Sequence, residues 1–268
     1  MSVTISVCTI VKNEGKNIRD FITSFLPVAD ELLIADTGST DNTVEIIKEL
    51  MVSHKNIILY NYSSEGTFHF GRARNFLLDK ATKDYVLMPD ADERPSQDFI
   101  ENIREFLVKE QPASVTIVRK DELVPHLIDV ATIRIVSNDP KIRYGTGPAS
   151  KVHEQIEYTG KVLHFNSVWW HNQRANHYLV RPQRMFLQME LQVDRLPKTK
   201  SFFGHFLRGV WYFFYRFKKI YFTRGLYRDG ALGFKFAFMR ALDAFLVELF
   251  VGLKPSSDVP YWERDKSK

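Results

Sequence analysis

The sequence predicts an α/β protein whose mainly parallel sheet is flanked by helices and followed by a helical C-terminal extension. Apolar, β-branched runs alternate with helical patterns over the first half of the chain. Short strand-like runs separated by turns follow from about residue 114, and the last third is aromatic and helical in pattern. Strands that alternate with helices of this length form right-handed crossovers, which place the strands in parallel.

The predicted elements of the first half follow one another in order. The strands are residues 5–11, 31–35, 57–60 and 85–88, and the helices are residues 17–26, 43–50 and 71–81. Strand patterns in the middle region cover residues 115–119, 131–136 and 162–165. Because ligands of such sheets bind beyond the carboxyl ends of the strands, the polar residues at those ends are the first candidates for a site.

Length and composition indicate a globular protein. A chain of 268 residues with 44% hydrophobic content can bury a core without a disulfide or a structural metal. The single cysteine, Cys8, lies in an apolar run, where a small buried residue is the favoured explanation. The N-terminus has no secretory pattern, so we expect no export and a reducing, cytoplasmic compartment.

A pair of aspartates directly follows the fourth predicted strand. Asp90 and Asp92 lie two residues apart, so in extended backbone their carboxylates would point the same way and could bind one divalent cation. Magnesium or manganese held in this way would neutralise a diphosphate as it leaves. The alternative is a solvated acidic turn in which Pro89 ends the strand, since short acidic motifs are common.

A second polar run follows the second predicted strand. Asp36 stands at the strand end, Gly38 permits a tight turn, and Thr40 or Asp41 can cap the next helix. Capping explains Asp41 but leaves Asp36 unexplained. The carboxylate of Asp36 can accept a hydrogen bond from a nucleobase or a ribose, so this run indicates a nucleotide ligand.

Four segments in this order resemble the N-terminal half of the family 2 glycosyltransferases, whose fold is called GT-A. They are SVCTIVKNE at residues 6–14, IADTGSTDNT at residues 34–43, Arg74 and Asn75 in GRARN, and MPDADER at residues 88–94. Further segments are similar to the branch that contains the lipopolysaccharide core β-1,4-glucosyltransferases: KVHE at residues 151–154, His171 in WWHN, and residues 224–241. The resemblance spans nearly the whole chain, and four motifs in order are more specific than any one of them.

The resemblance implies a role for each residue at the strand ends. Glu14 and Asp36 would contact the uridine of a UDP-sugar, and Arg74 would help to hold the diphosphate. Asp90 and Asp92 would hold the ribose and the divalent metal, Mg²⁺ or Mn²⁺. The expected donor is therefore a nucleotide sugar.

With this resemblance the chain divides into two parts. Residues 1–175 would form the GT-A catalytic domain, with a nucleotide-sugar-binding half at residues 1–113 and an acceptor half at residues 114–175. Residues 176–268 would form the helical extension, which either contacts a membrane or pairs with a second subunit.

An inverting transfer needs a base that takes the acceptor's hydroxyl proton while that hydroxyl attacks opposite the leaving nucleotide. Glu154 follows His153 at the position of the family's HE pair, and it is the predicted base. A surface glutamate is the alternative reading of Glu154, and Asp129 is a weaker substitute. His171 is a candidate third metal ligand, a role that His153 could also fill, although a histidine behind two tryptophans is more often a boundary residue.

The C-terminal third is basic and aromatic. Residues 174–240 contain fourteen Lys or Arg and three acidic residues. The apolar stretches at residues 202–222 and 234–253 each carry several charges, so neither is a clean transmembrane helix. An interfacial helix on an anionic membrane surface fits better, and packing on the catalytic domain or in a homodimer is the alternative. Nucleic acid is not expected, because no recognised nucleic-acid-binding motif is present.

These expectations describe an enzyme that is peripheral on the inner face of the cell membrane. It would transfer a hexose, with glucose as the first choice, from a UDP-sugar to a lipopolysaccharide core or another glycolipid or glycan. A peptide or soluble-glycan acceptor stays open, because family likeness fixes the donor chemistry better than the acceptor. A nucleotidyltransferase is disfavoured by the glycine-poor first loop, and a non-catalytic surface-binding module is the remaining alternative.

Overall fold

The computed structural model describes residues 2–63, 68–127, 132–146, 156–158, 160–171, 192–193, 196 and 198–254. The chain forms two units. The first comprises Met1–Arg119 and Asp129–His171, and the second comprises Lys120–Ile128 and Asn172–Lys268.

The first unit is built on the alternation of strands and helices that the sequence predicts. Its first four strands are β1 (Ile5–Val11), β2 (Glu31–Asp36), β3 (Ile57–Asn61) and β4 (Tyr85–Leu87). Between them lie the helices α1 (Ile18–Phe25), α2 (Thr43–Ser53) and α3 (Phe70–Lys80). Each element lies at its predicted position, and the ends differ by no more than three residues. Periodicity was informative here because these strands and helices are long and strongly patterned.

The rest of the first unit contains elements that the sequence analysis did not predict. Strand β5 (Glu93–Pro95) and helix α4 (Gln97–Glu110) follow β4 directly. The predicted strand patterns of the middle region lie in β6 (Ser114–Asp121), β7 (Thr132–Ser137) and β10 (Val162–His171). The short strands β8 (Arg143–Tyr144) and β9 (Ile156–Glu157) pair with each other in a separate sheet.

The main sheet has the strand order β3-β2-β1-β4-β7-β6-β10-β5. The first three neighbouring pairs are parallel, β7 is antiparallel to both β4 and β6, and β5 is antiparallel to β10. The chain leaves β1 toward β2 and β3 and later returns to β4 on the other side of β1. Open α/β sheets bind ligands at such a reversal, beyond the carboxyl ends of the strands.

Both faces of the parallel part of the sheet are covered by apolar side chains. On one face Trp169 packs edge-on against Phe25 and Phe99, with ring centroids 5.4 Å and 5.3 Å away. Cys8 belongs to the core on the other face, with residues such as Leu33 and Leu77. Burial raises the pKa of the Cys8 thiol far above its usual value, so this thiol is an inert core side chain.

The second unit is a helical hairpin. Helix α5 (Phe202–Phe217) continues into a π-helical turn at Lys218–Thr223 and a 3-10 turn at Leu226–Asp229, and helix α6 (Gly230–Leu253) follows. The hydroxyl of Ser201 caps α5 by accepting a hydrogen bond from the Gly204 N–H at 3.2 Å. Among the described residues, no helix combines the length and the apolar character needed to cross a bilayer.

Small residues allow α5 and α6 to pack closely. A Cβ atom added at Gly209 would lie 3.1 Å from the Phe245 side chain, and one added at Gly252 would lie 2.9 Å from the His205 Cβ. His205 is fully buried in this contact, and its Nδ1 lies 2.8 Å from Glu248 Oε2. The hairpin is therefore held by a polar pair as well as by apolar packing.

Candidate active site

The loops that follow β1 and β2 are hydrogen-bonded to each other through Asn13. The Asn13 side-chain oxygen accepts a hydrogen bond from the Thr40 N–H at 2.7 Å, and the Asn13 N–H donates to Ser39 Oγ at 2.9 Å. Asn13 has a φ of 56°, a left-handed conformation that asparagine tolerates better than most residues. The two loops therefore form one ordered rim beside the strand ends.

Asp36 lies on this rim, at the carboxyl end of β2. Its carboxylate is buried and accepts hydrogen bonds from the N–H groups of Gly38 and Ser39, each at 3.2 Å. Gly38 has a φ of 98°, a backbone conformation that glycine adopts freely. A carboxylate has about four lone-pair sites, so Asp36 is held in place by its own loop and can still accept a further hydrogen bond.

Glu14 occupies the corresponding position after β1. Its N–H donates to Thr43 Oγ1 at 2.8 Å, and its Oε2 accepts a hydrogen bond from the Asn17 side chain at 2.8 Å. Burial raises the pKa of the Glu14 carboxyl; the bond from Asn17 opposes this effect, and the negative charges of Asp92 and Asp41 add to it. The charge of Asp92 thus acts on Glu14, so the first loop and the aspartate motif are electrostatically coupled.

The aspartate motif forms a turn. The Glu93 N–H donates to the Asp90 carbonyl at 2.9 Å, which closes residues 90–93 into a hydrogen-bonded loop. The expectation that Asp90 and Asp92 share one extended segment was wrong, because this backbone bond replaces the extended conformation. As a result the two carboxylates have different partners.

Asp90 is held by three arginines. Arg74 Nη2 lies 2.5 Å from Asp90 Oδ1, Arg134 Nη2 lies 2.6 Å from Oδ2, and Arg119 Nη1 lies 3.8 Å from Oδ2. Burial alone would raise the pKa of Asp90, but the charges of Arg134 and Arg74 outweigh it and hold this pKa well below its usual range. The arginines therefore favour the ionised form of Asp90 and hold its carboxylate in a fixed position.

Glu93 holds two of these arginines and the Asp90 backbone in place. Its side chain is fully buried, and its Oε1 accepts hydrogen bonds from Arg119 at 2.9 Å and from Arg134 at 3.0 Å. Its Oε2 accepts the Asp90 N–H at 2.9 Å. The sequence analysis assigned no role to Glu93, Arg119 or Arg134. A signal was present at Arg134, where a charged residue interrupts the apolar strand TIRIVS.

The remaining residues of GRARN position Arg74. Asn75 binds the Tyr144 backbone twice, as donor to its carbonyl at 2.9 Å and as acceptor from its N–H at 2.8 Å. A Cβ atom at Gly71 would lie 2.5 Å from the Gly145 carbonyl, so only glycine fits this approach. The Arg74 guanidinium then lies 5.5 Å from the centre of the Tyr144 ring.

Asp92 is paired with His171. The Asp92 Oδ2 and the His171 Nε2 lie 3.4 Å apart, and the two side chains are 15% and 17% exposed. Burial lowers the pKa of His171, but the hydrogen bond to Asp92 and its negative charge raise it above the usual value. The antiparallel pairing of β10 with β5 sets His171 directly opposite Glu93. This long-range pairing brings the predicted third ligand to the aspartate turn.

The chemistry of this pair fits a divalent cation. Neighbouring ligands that bind one cation at about 2.1 Å lie roughly 3 Å apart, close to the distance between Asp92 and His171. Within the part of the chain that the structure describes, no group of three His, Cys, Asp or Glu side chains could hold a metal. Magnesium is usually bound by one or two carboxylates together with substrate phosphates and water, so the Asp92 carboxylate could bind it without a group of three protein ligands.

Arg94 links the aspartate turn to the first loop. Its guanidinium donates to the Ala91 carbonyl at 3.0 Å and to the Asn17 carbonyl at 2.8 Å. Three of the predicted segments therefore meet at one edge of the sheet. Glu154, His153 and Asp129 lie outside the described residues.

Sequence comparison relates the chain to known proteins. The profile of Glycosyl transferase family 2 matches residues 6–144, just over half of the chain. A TPR repeat-containing protein of Synechococcus elongatus is 27% identical over 140 residues; the match covers 52% of this chain and only 33% of that protein. The lipopolysaccharide core biosynthesis glycosyltransferase LpsC of Rhizobium meliloti is 26% identical over 256 residues, which cover 90% of this chain and 89% of LpsC.

A solved structure also shares the fold. The mannosyltransferase PcManGT from Pyrobaculum calidifontis, in complex with GDP-Man and Mn²⁺, superposes with a TM-score of 0.51 at 14% identity. The match covers 72% of this chain and 63% of that protein, and at this identity it bears on the fold alone. The predicted GT-A fold is confirmed. With a profile match from the first strand to the end of β8, the chain belongs to Glycosyl transferase family 2.

Proposed function

We propose that this protein is a metal-dependent, inverting glycosyltransferase that moves a hexose from a UDP-sugar to a lipopolysaccharide core or another glycolipid, with glucose as the first choice. The observation that carries the proposal is the pairing of Asp92 with His171, next to an Asp90 carboxylate that arginines hold ionised. The group follows β4, at the edge of the sheet where such folds bind ligands. The name of the relative LpsC supports the acceptor class.

The nucleoside of the donor would bind at the rim after β1 and β2. Asp36 is fixed by its own loop and retains lone pairs for a hydrogen bond from the base or the ribose. Glu14 lies on the adjoining loop, where the negative charge of Asp92 acts on its carboxyl group. The Asp90 carboxylate, which the arginines hold in place, would accept a hydrogen bond from a ribose hydroxyl.

The divalent metal would be held by the Asp92 carboxylate and the His171 imidazole, with Mg²⁺ and Mn²⁺ as the candidates. When bound, such a cation neutralises the negative charge that develops on the leaving diphosphate. The Pyrobaculum mannosyltransferase is in complex with Mn²⁺ and GDP-Man. That is a property of that protein, and it is the reason to include manganese and GDP-mannose in the assay.

The acceptor hydroxyl would lose its proton to Glu154 as it attacks the sugar on the side opposite the leaving nucleotide. One displacement of this kind inverts the anomeric configuration. The assignment of Glu154 rests on the KVHE segment. A glycolipid acceptor places the reaction at a membrane surface, and we propose peripheral attachment on the cytoplasmic face.

The test is hydrolysis of UDP-, GDP- and dTDP-sugars by the purified protein, with and without Mn²⁺. The Asp92→Asn variant removes one charged ligand, and Asp20→Asn, at an exposed position on α1, is its matched control. We expect Mn²⁺-dependent turnover of one UDP-sugar, which Asp92→Asn abolishes and Asp20→Asn retains. Absence of nucleotide-sugar binding and turnover, with Asp92→Asn identical to the parent, would overturn the proposal.

A further inference from the structure

The outer face of α5 exposes large apolar side chains in a regular row. Phe203, Leu207, Trp211 and Phe214 are between 52% and 65% exposed. They recur every three or four residues, so they lie on one side of the helix, and Tyr215 extends the row. We call these five residues the α5 aromatic face.

The opposite side of α5 accounts for the packing of the hairpin. His205 and Gly209 are the buried residues of α5. Phe206 meets Phe245 of α6 edge-on at 5.9 Å, and Arg208 Nε donates to Glu248 at 2.8 Å. These contacts join α5 to α6 without the five residues of the α5 aromatic face. The face is therefore left exposed on the other side of the helix.

The exposed apolar surface continues past the end of α5. Phe222, Phe234 and Phe238 are all exposed. They are tied to α5 by ring contacts, including Phe217 with Phe234 at 5.6 Å and Phe213 with Phe238 at 5.5 Å. An apolar surface of this kind on a folded protein marks a binding surface for another protein or for lipid.

The charges around this surface have one sign. Lys218 and Lys219 are exposed at the C-terminal end of α5, and Arg224 is exposed in the turn that follows. Residues 195–228 contain nine Lys or Arg and no Asp or Glu. The surface therefore combines exposed aromatic rings with an excess of positive charge.

We propose that the α5 aromatic face docks on an anionic lipid surface, with its rings in the headgroup region and Lys218 and Lys219 against the lipid phosphates. A second copy of the chain fits less well. A two-fold symmetric contact would set this basic segment against itself, and residues 195–228 contain no Asp or Glu that could face the lysines. Lipid phosphates supply the missing negative charge, and tryptophan and tyrosine favour the boundary between water and hydrocarbon. The inference rests on the proposed function in one respect: an enzyme that transfers a sugar to a glycolipid has a use for a contact with lipid.

The test is cosedimentation of the full chain with vesicles of phosphatidylcholine alone or mixed with phosphatidylglycerol, at low and high salt. One variant combines Trp211→Ser with Phe214→Ser, and another combines Lys218→Glu with Lys219→Glu. Val52→Ser, at a position 71% exposed on α2, controls for loss of a surface apolar group. Lys48→Glu with Lys55→Glu, both exposed, controls for the change of net charge.

We expect the parent and both controls to bind the anionic vesicles, more weakly at high salt. The Lys218→Glu, Lys219→Glu variant should bind at least about 25-fold less, since each lysine near an anionic surface contributes about fivefold. The Trp211→Ser, Phe214→Ser variant should bind at least about tenfold less, because it loses two large apolar side chains that would be buried in lipid. Thermal unfolding followed by circular dichroism verifies that the variants fold. Equal binding by parent and test variants, or no binding by the parent, would overturn the inference.

Light scattering tests whether the α5 aromatic face binds a second copy of the chain instead of lipid. A lipid-free dimer that becomes a monomer in the Trp211→Ser, Phe214→Ser variant would show that the face joins two copies, and it would overturn the lipid assignment. Donor hydrolysis is measured on the same samples in the absence of lipid. Vesicle binding that persists in a protein without hydrolysis would contradict the proposed function and support the docking surface.

Discussion

Glu93 and Arg134 form an ion pair that is almost completely buried, with 3.0 Å between Glu93 Oε1 and Arg134 Nη2. The same guanidinium nitrogen lies 2.6 Å from Asp90 Oδ2. The pair thus connects β7 to the aspartate turn, and it sets the position of Asp90 through residues that have no proposed contact with the donor. Its removal is expected to affect both stability and donor binding.

Glu93→Gln tests this connection. The substitution leaves Arg134 and Arg119 without their buried carboxylate, and breaking a buried pair in this way costs about 3 kcal/mol or more. We expect the free energy of unfolding, measured by urea denaturation, to fall by about that amount. Glu105→Gln, at an exposed position on α4, should leave it unchanged. A Glu93→Gln protein as stable as this control would contradict the account of the cluster.

The two aspartates of the motif should separate in a direct measurement of manganese binding. We expect Asp92→Asn to weaken the binding of Mn²⁺ at least about tenfold, because even a group that only supports a ligand contributes that much. Asp90→Asn should change Mn²⁺ affinity little, since arginines hold that carboxylate. Electron paramagnetic resonance of free Mn²⁺ measures both. Equal losses in the two variants would show that both carboxylates bind the metal.

Glu154→Gln tests the proposed base. We expect kcat to fall by about 10² to 10⁴, the usual contribution of general base catalysis, while UDP binding by calorimetry stays unchanged. Glu157→Gln, at an exposed position on β9, is the nearby control. Unchanged kcat in the Glu154 variant would move the base to another residue, with Asp129 as the next to be tested.

The buried carboxylate of Glu31 predicts a dependence of stability on acid pH. Burial alone would raise its pKa, but hydrogen bonds from Ser6 and Thr82 at 2.6 to 2.8 Å lower it below the usual value. A lowered pKa in the folded state means that this stabilisation is present above about pH 4.3, the pKa of an unperturbed glutamate. It is lost as the pH falls through the folded-state pKa.

We therefore expect Glu31→Gln to lower the free energy of unfolding by about 1 to 3 kcal/mol at neutral pH. The difference from the parent should begin to shrink as the pH falls below about 4.3, and it should be lost once the pH has passed the lowered pKa of Glu31 in the folded state. Denaturation series over this pH range measure the effect. A difference that stays constant through the acid range would show that ionisation of Glu31 does not stabilise the fold.

The parts of the fold that the sequence predicted are those with local signals. Strand β1 and helix α3 have clear periodicity, and the motifs place Glu14, Asp36 and Asp92 at strand ends. Helix α4 was missed, although Ser96 caps it by accepting the Phe99 N–H, because a lone serine before a mixed segment is a weak signal.

The arrangement within the site depends on contacts that local patterns do not contain. His171 reaches Asp92 because β10 pairs with β5, which is far away in sequence. The turn at residues 90–93 was expected to be extended, since an alternation of carboxylates looks the same in a strand and in a tight turn. Glu93 and Arg134 lie close together because β7, which carries Arg134, pairs with β4.

Strand β10 serves two purposes with residues of one face. Trp169 fills the core between Phe25 and Phe99, and two positions later His171 meets Asp92. A one-residue slip of β10 would turn the tryptophan out of the core and withdraw the histidine at the same time. The register of β10 therefore determines both the packing of the core and the position of His171. A chain with the wrong register would be unstable as well as inactive.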